Sequence, residues 1–467
     1  MPIAIAAVVY AIVLFTPQVL NDGDTWFHIA AGRWILQHHA APWTDPFSLT
    51  LSGAPWRAQE WLSELAMAIA FKLDGLSGVL ILTAAAAALC VALLARHLRF
   101  WLAPLPAFVV LIFGLGCVAP DLLARPHILA LPVLELWTAG LLMARTRNRA
   151  PSLWLLPVMA LWANLHGSFA FGIALVVPLG LEAMLADRAA RWGTSRAWGL
   201  FLLAAIAAAM LTPYGWHSLA FPFQLLGQPY LGLVKEWGSM DFSKPQPLEI
   251  ALMALLYVGF SRGVRIPPIR LLIMLGLLYM ALQHARHGML AGIVGALLFA
   301  EPLAQALRRQ PVGSDTVPPR ASRAEAVCTL AGAGLLVVLT VLRMAYAAVP
   351  QDRATSPVSA LRHVPVELKT QPVFNDYGFG GLLIFDGIRP FIDSRAELYG
   401  DELLGLYVDV VRPNPVALEA TFRRYGITWT ILKPDSPVVA VLDALPGWRR
   451  AHSDGFAVVH IRTEPAH

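Results

Sequence analysis

Apolar runs separated by short polar connections dominate most of the chain. Runs of spanning or near-spanning length occupy 3–20, 76–95, 101–119, 126–144, 151–165, 168–186, 197–212, 247–261, 268–283, 287–307 and 324–348. They predict about eleven transmembrane helices. The runs around Trp154 and Ala205 are the weakest of these. A further stretch, 60–73, is interrupted by Glu64 and Lys72 and reads as an interfacial or re-entrant helix. After 349 the pattern changes. Strand-like runs at 372–374, 381–385, 390–392, 428–432 and 456–461 alternate with helix-like runs at 401–411 and 415–425. The expected fold is a mainly α, polytopic membrane helical bundle over 1–348, with a first outer loop at 21–75. A small C-terminal α/β domain over 349–467 follows it.

Composition sharpens this picture. Of 467 residues, 57% are hydrophobic and 14% charged, against roughly a quarter charged in soluble domains. The net charge of +5 does not point to nucleic acid, because the arginines fall in short connections between apolar runs. With a cytoplasmic N-terminus, Arg96/Arg99, Arg145/Arg147/Arg149, Arg188/Arg191/Arg196, Arg262/Arg265/Arg270 and Arg308/Arg309/Arg320/Arg323 all face inward. Counting 60–73 as a full span would put later basic loops outside. The Pro-, Ser- and Arg-rich segment 310–322 reads as an inner linker. The C-terminal domain then lies outside a plasma membrane of bacterial inner-membrane type. The N-terminus lacks a basic stretch ahead of its apolar run, so a retained first span is expected. Cys90, Cys117 and Cys328 all sit in apolar runs, which argues against a disulfide framework.

The same topology gathers polar motifs on the outer face: Asp22-Gly23-Asp24-Thr25-Trp26-Phe27-His28, Asp121 with Arg125-Pro126-His127, Asn164-Leu165-His166-Gly167-Ser168, Thr212 to His217, Lys235-Glu236-Trp237 and Gln283-His284-Ala285-Arg286-His287. Ionisable groups are costly beside lipid, so such a concentration marks chemistry. Asp22 and Asp24 lead. A D-x-D pair can hold a divalent cation such as Mg or Mn, and one carboxylate can serve as a general base. Equally, Asp24-Thr25 can simply open a helix. Glu60 is a further catalytic candidate, against a plain capping charge. Arg286, Arg125, His127, His166, His284, His287 and Lys235 supply cations able to bind a lipid phosphate and stabilise it as a leaving group. Headgroup contact is the alternative for any one of them. Glu135 falls mid-span and suits a helix–helix polar contact. In the tail, Asn375-Asp376-Tyr377-Gly378-Phe379-Gly380-Gly381 and Phe391-Ile392-Asp393-Ser394-Arg395 follow predicted strands. Asp376, Tyr377, Asp393 and Arg395 are candidate acceptor ligands, or the parts of fold-stabilising turns.

The run Asp22 to His28, continued through Asp45-Pro46-Phe47-Ser48 and Glu60-Trp61-Leu62-Ser63-Glu64, resembles the type-C (GT-C) membrane glycosyltransferases. The likeness is nearest to bacterial members whose tails carry an Asn-Asp-Tyr turn and a Phe-Ile-Asp-x-Arg strand. The resemblance implies transfer of a sugar from a polyprenyl-phosphate carrier to a glycan, lipid or protein acceptor at the outer face, with Asp24 as the first-loop catalytic aspartate. The tryptophans that precede the acceptor motif of oligosaccharyltransferases are absent here. The expected function is therefore a membrane glycosyltransferase whose partners are the carrier-linked sugar, an acceptor and membrane lipids. A non-catalytic lipid-linked-glycan binding or scaffold protein is the alternative. A transporter is disfavoured by the apolar mid-span positions.

Overall fold

The computed structural model describes residues 2–186, 191–226, 238–307, 323–412 and 414–463. Lys235 with Glu236 and Trp237, the arginines Arg188, Arg308, Arg309 and Arg320, and the linker 310–322 lie outside the described residues.

Each apolar run expected to be a helix is one: α1 (Pro2–Phe15), α3 (Trp61–Trp101), α4 (Pro104–Val118), α5 (Pro126–Thr146), α6 (Leu155–Leu165), α7 (Phe169–Ala186), α8 (Arg191–Ala209), α10 (Pro247–Arg262), α11 (Pro268–Gln283), α12 (Gly288–Leu307) and α13 (Arg323–Ala345). Two more helices are α2 (Gly23–His38) and α9 (Trp216–Leu226). Among the described residues, six helices are long and apolar enough to cross a membrane. Three shorter apolar helices, Pro2–Phe15, Leu155–Leu165 and Pro268–Gln283, accompany them. The chain is a multi-pass membrane protein. Among the described residues, the crossings clear by length and composition number six, where the apolar runs suggest about eleven.

Helix α3 accounts for the ambiguous stretch 60–73. A straight helix of 41 residues would be about 60 Å long, twice the hydrocarbon core. The backbone breaks instead at Asp74 and Gly75, where Gly75 takes φ +54°. The halves fold tightly together: a Cβ on Gly78 would lie 2.0 Å from the Ala70 carbonyl oxygen. Elsewhere small residues set the packing. A Cβ on Gly292 of α12 would lie 2.5 Å from Cys117 Cβ of α4.

The tail carries a four-stranded mixed sheet in the order β1-β2-β4-β3, formed by β1 (Val373–Asn375), β2 (Trp429–Leu432), β3 (Trp448–Ser453) and β4 (Val458–Arg462). Only the β1–β2 pair is parallel. Helices α16 (Ala396–Val411) and α17 (Pro415–Arg424) pack on it through Phe374, Phe391, Val410 and Phe422. The runs 381–385 and 390–392 are not strands. After α14 (Val358–His363), residues Gly380–Phe385 form a short helix, α15, and 390–392 is irregular. Short apolar runs do not reveal their period, and here close packing on α2 decides. A Cβ on Gly381 would lie 2.1 Å from the Gly23 carbonyl oxygen, and one on Gly23 would lie 2.3 Å from that of Gly378. The exposed, Arg-rich β3 escaped detection because it does not alternate apolar and polar positions.

Candidate functional site

Three dockings bring the outer motifs together. Asp22 caps α2 in an extended conformation, its carboxylate accepting the Asp24 N–H at 3.2 Å. The turn ahead of α5 is pinned to this end by Thr25 Oγ1, which donates to Ala124 O at 3.0 Å, and by Ala124 N, which donates to Val19 O at 2.8 Å. Arg125 is thereby set against both aspartates. It forks onto the two Asp22 oxygens, with Nη2–Oδ1 at 2.5 Å, and reaches Asp24 Oδ2 at 3.2 Å. Burial opposes ionisation of Asp22, but Arg125 holds its carboxyl below the usual range.

The second docking joins α2 to the start of α3. Gly32 packs so closely that a Cβ there would lie 2.0 Å from the Glu64 carbonyl oxygen. One turn earlier, His28 therefore faces Glu64, with Nδ1–Oε1 at 3.3 Å, while its Nε2 lies 3.8 Å from Glu60 Oε2. Burial opposes protonation of His28, yet its hydrogen bond to Glu64 and the charges of Glu60, Glu64 and Asp24 raise its pKa.

The third docking brings in the α6–α7 turn. Trp61 Nε1 donates to Asn164 Oδ1 at 2.7 Å and Ser63 Oγ to Leu165 O at 2.8 Å. His166 then lies with Nε2 3.1 Å from Glu60 Oε1. Its Nδ1 accepts the Ser168 N–H at 3.1 Å, which places the ring proton on Nε2, directed at Glu60. Burial, with the nearby His127 and Arg286, pushes the His166 pKa well below the usual imidazole range, so the ring is neutral. Burial and the Glu64 charge, opposed by His28 and Arg286, lift the Glu60 carboxyl to about 7. Glu60 remains 25% exposed, enough to meet a ligand.

Arg286 lies on the turn Ala285–His287 and acts electrostatically on both Glu60 and His166. His284 and His287 flank it with ring centroids 5.5 Å apart, and the His127 ring sits 6.3 Å from that of His166. The tail closes the other side. Arg395, 3% exposed, forks onto Asp393, reaches Asp45 Oδ1 at 2.6 Å, and is surrounded by Phe27, Phe47 and Trp56. Tyr399 also donates to Asp393, at 2.6 Å. The polar groups of Asp393 and Arg395 are thus engaged in joining the tail to the first outer loop. Asp376 accepts from Gly378 N at 2.9 Å and pairs with Lys433 at 3.2 Å. The Tyr377 backbone N–H donates to the Tyr407 hydroxyl at 2.9 Å.

No protein-family model and no curated protein matches this chain. Solved structures do. The oligosaccharyltransferase AglB of Archaeoglobus fulgidus, in complex with an inhibitory peptide and a dolichol-phosphate, aligns with a TM-score of 0.53 at 13% identity, over 92% of this chain and 69% of AglB. ArnT of Cupriavidus metallidurans, bound to undecaprenyl phosphate, aligns with a TM-score of 0.55 at 14% identity, over 98% of this chain and 97% of ArnT. The chain has the type-C glycosyltransferase fold. At these identities the likeness speaks for the fold alone.

Within this type-C fold, two site residues stand out that the motif reading did not single out as ligands, His28 and Glu64. Their signal was spacing. Asp24/His28 and Glu60/Glu64 are each four apart, so each pair shares one helix face once both segments are helical. The D-x-D pair does not fit a divalent cation as placed, because the Arg125 guanidinium already faces both carboxylates. Among the described residues no group of three or more His, Cys, Asp and Glu side chains is arranged to hold a metal ion.

Proposed function

We propose that this protein is a membrane glycosyltransferase that moves a sugar from a polyprenyl-phosphate carrier to an acceptor at the outer face of the membrane. One observation carries the reading. A half-open carboxyl of near-neutral pKa, Glu60, sits beside a neutral imidazole, His166, and within the field of Arg286, in a fold whose solved relatives AglB and ArnT hold dolichol-phosphate and undecaprenyl phosphate.

In this mechanism Arg286, with His284 and His287, takes the carrier phosphate. An acceptor hydroxyl oxygen bonds to the anomeric carbon as the bond from that carbon to the phosphate oxygen breaks. The hydroxyl proton passes to Glu60, and the carrier phosphate leaves as the anion that Arg286 stabilises. Asp24, tied to Arg125 at 3.2 Å, orients the acceptor rather than taking its proton. The N-terminus lies on the cytoplasmic side, and residues 349–467 form a separate extracytoplasmic domain. Transfer from a synthetic polyprenyl-phosphate sugar, followed in nanodiscs, tests the reading. Glu60→Gln is expected to lose transfer, and Asp24→Asn to keep roughly a tenth of it. Full activity of Glu60→Gln would remove that residue from the chemistry.

A second reading, carrier binding without turnover, draws on the engagement of both Asp22 and Asp24 by Arg125. Carrier binding by the wild type with no transfer to any acceptor would favour it.

A further inference from the structure

The tryptophans and arginines around the site are not all used alike. The indole N–H groups of Trp26, Trp56 and Trp61 are spent on Ser356, Glu397 and Asn164. Arg125 and Arg395 are spent on aspartates. Trp43 and Arg57 are different. Trp43 is 50% exposed, and the half-buried Arg57 guanidinium lies over its ring, 5.5 Å from the centroid. Arg57 Nε has no hydrogen-bond partner. Among the described residues no carboxylate pairs with this guanidinium, because the nearby Glu60 and Glu64 face His28 and His166 instead. The arginine is held by an aromatic face, with its charge uncommitted.

The pair is also fixed in place. Trp56 N donates to Trp43 O at 3.1 Å, and Thr44 bridges to Pro55. The Tyr214 hydroxyl accepts from Ala58 N at 3.0 Å and donates to Pro42 O at 3.0 Å, while its ring meets that of Trp43 edge-on. Arg57 precedes Glu60 by three positions, and the Tyr214 hydroxyl feels the charges of both Arg57 and Glu64. A rigid cation and an exposed ring thus stand next to the carboxyl that receives the acceptor's proton.

That placement selects among acceptors. A neutral sugar would leave the guanidinium unanswered. An acidic one, approaching the ionised Glu60, would be repelled unless a cation met it, and Arg57 supplies that cation. An exposed indole offers apolar area to the C–H side of a sugar ring.

We propose that Arg57 and Trp43 form an acceptor subsite for an acidic sugar, the guanidinium taking its carboxylate or phosphate and the indole its ring. The acceptor is then an anionic glycan. This rests on the proposed reading of Glu60 as the group that faces the acceptor hydroxyl.

The test uses saturation-transfer NMR on the full chain in phosphatidylcholine nanodiscs, which carry no net charge. It compares methyl glucoside, methyl glucuronide and a methyl glucoside phosphate. At least one of the two acids is expected to bind about tenfold more tightly than the neutral glucoside, and the one that does so names the anion. Arg57→Gln should abolish that preference and Arg57→Lys restore part of it, whereas Trp43→Ala should weaken all three sugars alike. Equal wild-type binding of acidic and neutral sugars would overturn the subsite whatever the variants do, and so would a preference that survives in folded Arg57→Gln. Displacement of the acid by phosphatidylglycerol added to the nanodisc would assign the pair to a lipid headgroup and overturn it too. None of these results touches Glu60. Full transfer by Glu60→Gln would instead overturn the reading of that residue, and with it the part of the subsite in transfer, while the binding ratio stood.

Discussion

Two buried polar clusters occupy opposite ends of the helical bundle, and they are built differently. At the end distant from the site, Arg145 pairs with Glu182 at 3.0 Å, Arg270 with Glu182 at 3.1 Å, and Arg270 with Glu301 at 2.7 Å. Two cations meet two anions, and α5, α7, α11 and α12 are tied together. At the other end, Glu60, Glu64, His28, His166 and Arg286 leave Glu60 a quarter exposed with its carboxyl lifted to about 7, and one Glu64 oxygen is buried without a hydrogen-bond partner. A charge-balanced network serves the fold. An unbalanced one, with a group poised to change charge, serves chemistry. Polarity in a membrane protein is therefore informative less by its presence than by whether its charges balance.

Substitutions can break this contrast. The largest effect is expected from Glu60→Gln, with transfer falling at least about 100-fold while the thermal unfolding midpoint stays near that of the wild type. A collapse of the midpoint would mean that Glu60 holds the fold. The converse applies to Arg270→Met, which leaves Glu301 without its cation and Glu182 with Arg145 alone, and should cost about 3–5 kcal/mol of stability. Thermal unfolding in detergent measures it, and the surviving folded fraction should keep its pH profile.

A pH titration sharpens the contrast further. Because Glu60 must be ionised to accept a proton and its carboxyl sits at about 7, transfer should rise roughly tenfold per pH unit below that point and level off above it. A rate unchanged between pH 5 and 8, both figures being about the limits of a practical assay, would place the base elsewhere. The smallest effect is a displacement of this limb. The Glu64 charge raises the Glu60 pKa, so Glu64→Gln should move the limb to lower pH. A limb that stays in place would show that the two glutamates do not communicate.

Much of the architecture was legible because apolar runs report helices directly, and the break in α3 was foreshadowed by the charges in 60–73. Asp22 to His28 advertised itself by placing carboxylates next to an apolar run. The pairing of Arg125 with Asp22 did not, since the two lie 103 residues apart and a lone arginine looks the same whether it meets a phosphate or a carboxylate. Asp393 and Arg395 posed the same problem. Polar residues in a strand-end loop suit a ligand or a clamp equally well, and only burial against Asp45 and Trp56 separates the two. Gly380 and Gly381 stand as a pair in the sequence, but sequence alone could not say that the neighbour of Gly381 would be Gly23.

That last feature bears on how the molecule is made. The segment from Gly23 to Asp45 leaves the ribosome early, yet the groups that grip it, Gly378, Gly381 and Arg395, arrive only near the end of synthesis; Asp45 and Arg395 are 350 positions apart. Until then Asp45 and the aromatic side chains around it have no tail to pack against. A chain halted ahead of the sheet would therefore carry every membrane helix but an unfinished first loop, a natural target for quality-control proteolysis.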